Sequence, residues 1–357
     1  MNQKNKSFSP VFICGSGRSG TTLVRNILGN HSNFYTIDRE LHFFTRYRTY
    51  CYKLLDKFEK KNNIQRLALS IITLLFYGNE CCEIMTIESN YPLDVQNYYD
   101  EIVQSEDFNT LKSKYDIFDF CINYFTHKEN KKRWVEKTPR NIFAADLITE
   151  RYPDAQFIEI YRDPRAVYLS WKNAEHRFFR NSNAVECLRA WNDTTSLGER
   201  YLKKLPKQFY RLKYEDLICS PEEELKKLCG FLNEEFEPAM LNITVKNSFF
   251  EDSINKQGFN KSSLNRWKES LWKYEVLFLD IFTKTNRKIL NYPDSDVKLS
   301  FLNFLPFTVF ALFTLIKGHS HFPILYKSVK NLTKSKAWCI SRLKQSKRLL
   351  QQGRFIL

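Results

Sequence analysis

Short runs of consecutive apolar residues recur along this chain, and they alternate with segments whose apolar residues have helical spacing. The clearest lies at residues 11–14, and three further mainly apolar runs, each with one or two charged residues, lie at residues 134–136, 157–161 and 209–213. Runs of this length bounded by turn residues are typical of strands that are buried on both faces of a sheet. Their alternation with helices predicts the α/β class, with an open, mainly parallel sheet flanked by helices.

Two segments depart from this alternation. Residues 41–130 are predicted to form a helical insertion, and the apolar run at residues 67–77 within it is too short to cross a bilayer, so it predicts a buried helix. Residues 298–357 are predicted to form a C-terminal extension that is first apolar and then basic, with a helical stripe of apolar side chains. We therefore expect a main domain over residues 1–297, followed by a helical tail.

The first apolar run leads into a glycine-rich turn that suits an anion. Gly15 and Gly20 have the spacing of a P-loop, and a helix is predicted to begin at Thr21. Backbone N–H groups and a helix N-terminus then point toward one place, which favours a phosphate or a similar anion. Thr21 stands where a nucleotide triphosphatase carries Lys, and the cationic side chain of the turn is Arg18 instead. The turn therefore predicts a P-loop-type site for an anion other than a γ-phosphate.

A second strand–turn–helix segment, residues 161–171, carries the same kind of chemistry. Arg162 stands at the end of the predicted strand, and Ser170 follows eight residues later. If the segment from Ala166 onward is helical, Ser170 lies about one turn into the helix and can point back toward the anion bound by Arg162. Two anion sites on neighbouring strand ends suit a cofactor with two separated phosphate-type groups.

Both motifs, in this order, resemble those of the sulfotransferases that use 3′-phosphoadenosine-5′-phosphosulfate (PAPS). Further matches lie at residues 136–140, 214–217 and 264–267, and the resemblance covers roughly residues 8–275. It looks closer to the Golgi-type branch, which includes tyrosylprotein and carbohydrate sulfotransferases, than to the cytosolic phenol and steroid enzymes.

The resemblance implies a site for each anionic end of PAPS. Arg162 and Ser170 correspond to the residues that bind the 3′-phosphate. The 5′-phosphosulfate is cradled in the family by the glycine-rich loop, which here corresponds to Gly17, Arg18, Ser19, Gly20, Thr21 and Thr22.

The resemblance also implies candidates for the transfer itself. Lys137 corresponds to a lysine that contacts the sulfuryl and bridging oxygens, so we assign it to the leaving group, together with Arg18. An acceptor hydroxyl loses its proton as its oxygen attacks, which requires a carboxylate or an imidazole nearby. Relatives place a catalytic Glu shortly after the first helix, and Glu40 is our candidate for this base. Its rivals in the same segment are Asp38, His42 and His31.

Two more residues complete the implied cofactor site. Tyr214 offers a ring face on which adenine could stack, with a core tyrosine as the alternative. Arg266 is expected to close over the 3′-phosphate from the C-terminal side. Some relatives carry a second arginine twelve residues after the first, but Ala174 occupies that position here. The contacts to the 3′-phosphate must therefore differ in detail, with Lys172 or Arg266 as the compensating cation.

The formal net charge of +15 originates mainly in the tail. Residues 297–357 contain 11 Lys or Arg and no Asp or Glu, which leaves 44 basic and 40 acidic residues, a net +4, for residues 1–296. Nucleic acid is therefore not an expected partner. A basic helix with an apolar face suits an anionic membrane surface. We favour such attachment over packing of the tail on the domain or on a second copy in a homodimer.

The remaining features narrow the location and the reaction. Nine scattered cysteines without a CxxC pair fit neither a zinc site nor a disulfide framework, and no signal peptide precedes the first strand. We therefore expect a cytoplasmic enzyme, peripheral on the membrane through its tail, that needs no metal. It would transfer a sulfonate from PAPS to a hydroxyl of a carbohydrate, a glycolipid or a similar acceptor. The alternatives are a nucleotide-dependent kinase or phosphotransferase, a tyrosine acceptor, and an adaptor that uses the basic tail.

Overall fold

A parallel sheet forms the centre of the fold in a computed structural model. The structure describes residues 9–45, 49–78, 91–175, 184–243, 258–298 and 300–320. Within these ranges the sheet has five strands: β1 Val11–Gly15, β2 Phe34–Thr36, β3 Arg133–Lys137, β4 Gln156–Tyr161 and β5 Phe209–Lys213. The predicted α/β class and the four predicted strands are confirmed. The sequence did not reveal β2 because it has only three residues.

The strand order is β2-β3-β1-β4-β5, and every neighbouring pair is parallel. In this register Ile13 of β1 lies opposite Lys137 of β3, and Gly15 lies opposite Ile160 of β4. Tyr161 at the end of β4 lies opposite Lys213 at the end of β5. Because all strands run in one direction, their carboxyl ends meet at one edge of the sheet. The residues that follow β1, β3, β4 and β5 are therefore neighbours there.

Helices and short 3-10 turns connect the strands. The helices are α1 Thr21–Gly29, α2 Thr49–Lys60, α3 Ile64–Tyr77, α4 Leu93–Ile102, α5 Lys114–Lys128, α6 Ala145–Arg151, α7 Pro164–Glu175, α8 Ala184–Lys204, α9 Tyr214–Cys219, α10 Pro221–Leu232, α11 Arg266–Ser270, α12 Lys273–Ile289 and α13 Phe301–Ser320. The 3-10 turns are Glu106–Thr110, Pro139–Ala144, Pro238–Leu241 and Lys261–Ser263. Helices α2 to α5 confirm that residues 53–128 are largely helical where the structure describes them.

Alternate strand residues face two different cores, as the period of two in a strand requires. Phe12 and Phe157 face a core that also contains the buried residues of α3 and α5. Val11 and Ile158 face the opposite core, which is formed with α1, α9 and α10. The apolar run predicted as a buried helix is α3, and its residues from 67 to 75 are buried. The helical insertion thus covers one face of the sheet.

The C-terminal helices pack together beside α7 and α8. Helix α13 continues through Pro306, and its Phe310 ring lies 5.4 Å from the ring of Tyr274 and 5.3 Å from that of Phe278, both on α12. The predicted basic stripe at residues 321–357 lies outside the described residues. None of the helices in the described ranges combines the length and the apolarity that crossing a membrane requires. The division of the chain after residue 297 stays a prediction.

Candidate active site

The glycine-rich loop between β1 and α1 is held in place by α7. The indole N–H of Trp171 donates a hydrogen bond to the carbonyl oxygen of Gly17 at 3.2 Å. Arg18 has a φ of 71°, in the left-handed region, so the loop turns sharply at this residue. Thr21 and Thr22 are the first residues of α1, as predicted. The loop therefore ends at a helix N-terminus at the carboxyl edge of the sheet.

The two predicted anion motifs meet at this edge. The Arg18 guanidinium donates from Nε to the Ser170 hydroxyl at 3.1 Å, which joins the loop to α7. Burial and the nearby positive charge of Arg162 lower the pKa of Arg18 to about 10. Two guanidinium groups this close repel each other, and an anion between them would relieve that repulsion. Arg18, Ser170 and Arg162 therefore make this edge of the sheet electropositive, with room for the two predicted anion positions side by side.

Arg162 is oriented by three neighbours and keeps one unused donor. Its guanidinium lies 4.2 Å from the ring centroid of Tyr214, and its Nη2 donates to the carbonyl oxygen of Ser263 at 2.8 Å. Its own carbonyl oxygen accepts a hydrogen bond from the Trp191 indole at 2.9 Å. The Arg162 Nε is buried and has no hydrogen-bond partner. A buried donor without an acceptor destabilises a folded protein, which indicates that a ligand supplies the missing acceptor.

A second unused donor lies in the loop. The Ser19 hydroxyl is fully buried and also has no hydrogen-bond partner. Ser19 Oγ belongs to the motif predicted for the 5′-phosphosulfate, and Arg162 Nε belongs to the motif predicted for the 3′-phosphate. Each predicted anion position therefore contains one buried donor that is available to an anionic ligand. The residues present fit a cofactor with two anionic groups, such as PAPS.

Tyr214 and Arg266 lie on the same side of the site. The Tyr214 hydroxyl is 3.0 Å from the Ser263 hydroxyl, and Arg162 covers one face of its ring. Arg266 donates to the Ser262 hydroxyl at 3.0 Å, next to the residue that contacts Arg162. Stacking of adenine on Tyr214 and closure of Arg266 over the 3′-phosphate both stay predictions.

Lys172, one of the two cations considered as compensation for Ala174, has a carboxylate partner. Its ammonium forms an ion pair with Glu275 of α12 at 2.8 Å. Tyr168 also donates to this buried carboxylate, at 3.2 Å. Since Glu275 holds Lys172, Arg266 is the better candidate to compensate for the alanine at position 174.

The candidate base and the candidate leaving-group lysine are in direct contact. The Lys137 Nζ donates to Oε1 of Glu40 at 2.5 Å, and the His42 Nε2 lies 3.5 Å from Oε2 of Glu40. Burial acts to raise the pKa of Glu40, but the hydrogen bond from His42 and the charge of Lys137 outweigh it and lower the pKa to about 2. The charge of Glu40 also acts on the pKa of Arg18. Glu40, Lys137 and the loop therefore belong to one site.

A buried carboxylate on β3 positions the segment that carries Glu40. Glu136 accepts hydrogen bonds from the Thr138 hydroxyl, the Asn141 amide and the backbone N–H of Leu41, the last at 3.3 Å. The Thr138 hydroxyl in turn accepts from the backbone N–H of His42 at 3.3 Å. Burial raises the pKa of Glu136, while its hydrogen bonds act in the opposite direction. No role was predicted for Glu136 from the sequence, although a charged residue in an apolar strand was a usable signal.

The other candidates for the base lie elsewhere or have partners of their own. The Asp38 side chain is 84% exposed and pairs with Arg25 at 3.7 Å. The His31 ring is buried, and its Nε2 is 2.9 Å from the carbonyl oxygen of Glu235. His42 is the one rival in contact with Glu40. Among the four, Glu40 is the one that contacts Lys137, and its role as the base stays a prediction.

Comparison with known proteins agrees with this geometry. The model of the sulfotransferase family matches residues 10–238, which include the loop, Glu40, Lys137, Arg162 and Ser170. This chain belongs to the sulfotransferase family. The predicted family is therefore confirmed, and the predicted Golgi-type branch stays a prediction.

Two curated sulfotransferases illustrate the range of relatives. A putative protein-tyrosine sulfotransferase of Caenorhabditis elegans is 26% identical over 168 residues, which cover 43% of this chain and 65% of that protein. The omega-hydroxy-beta-dihydromenaquinone-9 sulfotransferase Stf3 of Mycobacterium tuberculosis is 26% identical over 250 residues, 61% of each chain. The matches cover between 28% and 65% of the length of the curated relatives.

Solved sulfotransferase structures share the fold. The sulfotransferase domain of the olefin synthase of Synechococcus PCC 7002 has a TM-score of 0.50 and 18% identity, and the match covers 82% of this chain and 99% of that domain. The sulfotransferase domain from the curacin biosynthetic pathway has a TM-score of 0.51 and 19% identity, with 80% and 99% covered. At this identity the likeness concerns the fold.

Proposed function

We propose that this sulfotransferase-family protein transfers a sulfonate from PAPS to a hydroxyl group of a carbohydrate, a glycolipid or a similar acceptor. The observation that carries the proposal is the pair of buried donors without partners, Ser19 Oγ and Arg162 Nε, in two motifs that the Arg18–Ser170 hydrogen bond joins. A kinase with the same loop would need a lysine where Thr21 stands, and it would have no use for the second anion position.

The residues would hold the two ends of the cofactor separately. The loop amides, Arg18 and Ser19 face the 5′ group, and Arg162 and Ser170 face the 3′-phosphate. When bound, PAPS supplies a sulfonate whose sulfur forms a bond to the acceptor oxygen while its bond to the 5′-phosphate oxygen breaks. Arg18 and Lys137 stabilise the negative charge that gathers on the leaving oxygen.

Glu40 would take the proton from the acceptor hydroxyl. It is the carboxylate next to both Lys137 and Arg18, and its segment is fixed through Glu136 and Thr138. A base in a fixed position beside the sulfonate allows the hydroxyl oxygen to attack in line with the leaving oxygen. The products are a sulfate ester, adenosine 3′,5′-bisphosphate and the proton on Glu40, which then passes to solvent.

The helical insertion would form the acceptor side of the site. Gly78 at the end of α3 lies so close to the Glu40 segment that a Cβ atom there would be 2.5 Å from Cβ of Arg39 and 3.2 Å from the Glu40 carbonyl oxygen. Near the start of the same helix, polar and aromatic side chains, among them Arg66, Tyr91 and Tyr99, line an open cavity of about 310 Å³. The α3 residues of this cavity lie about 14–20 Å along the helix axis from Gly78, so an extended acceptor such as a glycan could reach the cavity while its reacting hydroxyl lies at Glu40.

Titration calorimetry with adenosine 3′,5′-bisphosphate and with ATP tests the cofactor assignment. We expect the bisphosphate to bind about a hundred-fold more tightly than ATP, because only it carries a 3′-phosphate for Arg162. Arg162→Ala should weaken the binding of the bisphosphate about a hundred-fold, since a buried, charge-assisted hydrogen bond to the 3′-phosphate is lost. Arg200→Ala is the matched control, because its side chain is 61% exposed on α8. Tighter binding of ATP, or phosphate transfer from it, would contradict the proposal.

An acceptor survey follows from the same proposal. Sulfonate transfer from radiolabelled PAPS is measured to glycans, glycolipids and tyrosine-containing peptides, with Glu40→Gln as the chemical control. We expect labelled carbohydrate or glycolipid and about a thousand-fold loss of turnover in Glu40→Gln. Labelling of peptides alone would favour the tyrosine alternative instead.

We also propose that α13 lies on an anionic membrane surface. One face of this helix exposes more than half of each of four apolar side chains: Phe304, Leu305, Val309 and Leu312. Residues 297–357 carry 11 basic and no acidic side chains, and each basic side chain near such a surface contributes about 1 kcal/mol. This combination favours anionic lipid over a second copy of the chain, whose matching surface would carry the same positive charge.

Vesicle sedimentation tests this attachment. We expect the full chain to sediment with vesicles of phosphatidylcholine and phosphatidylserine and to remain in solution with phosphatidylcholine alone. Replacement of the four exposed residues by serine should abolish sedimentation, whereas Leu202→Ser on α8 should not. A dimer in solution that is lost in the same quadruple variant would favour the homodimer instead.

A further inference from the structure

Glu40 holds Lys137 in an ion pair. The Lys137 side chain is only 6% exposed, and its Nζ lies 2.5 Å from Oε1 of Glu40. The second oxygen of the same carboxylate lies 3.5 Å from the His42 ring. Both oxygens of the candidate base therefore face groups that can donate to them, and neither is free to receive a proton from an acceptor.

We propose that Glu40 and the 5′ group of the cofactor compete for Lys137, so that the ion pair is a latch that keeps the base inactive until the cofactor binds. This inference rests on the proposed function, because it needs an anionic 5′ group in the loop. Lys137 lies opposite Ile13 in the sheet, two residues before Gly15, so its flexible side chain can serve the loop as well as Glu40.

The segment that carries Glu40 is too well anchored to move with Lys137. Glu136 accepts from the backbone N–H of Leu41, and Thr138 accepts from that of His42. The Leu41 and Phe43 side chains are almost fully buried, and the Phe43 ring stacks on another aromatic ring of the core at 4.3 Å. When the ammonium turns toward the 5′ group, the ion pair therefore breaks instead of shifting as a unit.

Breaking the pair changes the chemistry of Glu40. In the pair, the hydrogen bond from His42 and the charge of Lys137 together keep the pKa of Glu40 far below neutral, which makes the carboxylate a weak base. Departure of Lys137 removes one of these two causes, so the burial of Glu40 then acts more strongly to raise its pKa toward the range in which proton transfer is efficient. A contact that competes with the cofactor for Lys137 thus links base activation to cofactor binding.

Calorimetric affinity for adenosine 3′,5′-bisphosphate tests the latch without any turnover. Glu40→Gln and Glu40→Asp both remove the contact, and the aspartate keeps the negative charge on a shorter side chain. We expect each variant to bind the bisphosphate about five- to ten-fold more tightly than the unaltered protein. Asp38→Asn is the matched control, because it removes a charge two residues away that pairs with Arg25. We expect less than about a two-fold change there, as its charge is exposed and screened.

Two further arms assign the effect to Lys137 and to the 5′ group. Adenosine 3′-phosphate lacks the 5′ group, so the Glu40 variants should bind it as the unaltered protein does. In a Lys137→Ala background, Glu40→Gln should no longer change the affinity for the bisphosphate. Thermal unfolding of each variant verifies that it is folded, and Glu40→Asp replaces Glu40→Gln if the latter is not.

The outcomes separate this inference from the proposed function. Absence of bisphosphate binding to the unaltered protein overturns the use of PAPS. Normal binding with unchanged or weaker affinity in both Glu40 variants overturns the latch and leaves the use of PAPS intact. An increase of equal size in the Lys137→Ala background, or with adenosine 3′-phosphate, also overturns the latch, because the effect would then be a general one of charge.

Discussion

Replacement of Gly20 by alanine puts a methyl group into space that is already filled. Gly20 precedes α1 with a φ of 106°. A Cβ atom there would lie 2.6 Å from Cδ2 of Tyr214 and 3.1 Å from Cδ1 of Ile160. The backbone strain costs about 1–2 kcal/mol and the overpacking about 1–3 kcal/mol. We therefore expect Gly20→Ala to lower the free energy of unfolding by about 2–5 kcal/mol.

The same change should reach the cofactor site, because Tyr214 cannot turn away without disturbing its neighbours. Arg162 lies over its ring, and its hydroxyl group is 3.0 Å from that of Ser263. We expect the affinity for adenosine 3′,5′-bisphosphate to fall about ten-fold, which corresponds to about 1.4 kcal/mol. Urea unfolding and calorimetry measure the two effects.

Gly17→Ala is the control for this prediction. A Cβ atom at Gly17 would come no closer than 3.8 Å to the Trp171 indole, which is ordinary van der Waals contact. We expect its free energy of unfolding to stay within about 1 kcal/mol of that of the unaltered protein. The reasoning is refuted if Gly20→Ala is no more destabilising than Gly17→Ala, or if it unfolds more easily but binds the bisphosphate normally.

Three further predictions concern stability. Gly230→Ala, in α10 with no atom within 4 Å of the added methyl group, should raise the free energy of unfolding by about 0.5–1 kcal/mol, and a decrease in urea unfolding would contradict this. Thr138→Val removes a donor to the buried Glu136 and should cost about 1–3 kcal/mol, measured against Thr149→Val on α6 as a part-buried control. The Glu40 pKa of about 2 lies below the usual 4.5, so its carboxylate stabilises the fold above pH 4.5, and this contribution is lost as the pH falls toward 2. Because the side chain is 34% exposed, we expect this contribution to the free energy of unfolding to be about 1 kcal/mol. In urea unfolding, Glu40→Gln should therefore destabilise the protein more at pH 6 than at pH 3. An equal effect at both pH values would show that the Lys137 contact is weak.

Local patterns were sufficient for the elements and for the two anion motifs. An apolar run followed by a glycine-rich turn specifies a strand and a helix N-terminus through nearest-neighbour geometry alone. Arg18 and Ser170 could therefore be assigned to anion positions before their contact was known. The strand β2 was missed because three residues carry too little pattern, and its pairing with β3 depends on the rest of the sheet.

Contacts between distant segments could not be predicted from local patterns. Glu136 is separated from Leu41 by 95 residues, and Lys137 is separated from Glu40 by 97. No local spacing encodes such pairs, because they depend on the order in which strands assemble and on which side chain reaches which. The same holds for Lys172, whose sequence context suggested an anion ligand and whose partner is Glu275 on α12.

By itself, the sequence determined the fold class, the family and the loop that is predicted to hold an anion, since each depends on residues close together in the chain. Only the tertiary structure decided that the Ser19 hydroxyl and the Arg162 Nε are buried without partners, and that Glu40 is engaged by Lys137. Burial and pairing are properties of the assembled core. Where water is excluded, a donor without a partner destabilises the fold, and an ion pair is strong enough to shift a pKa.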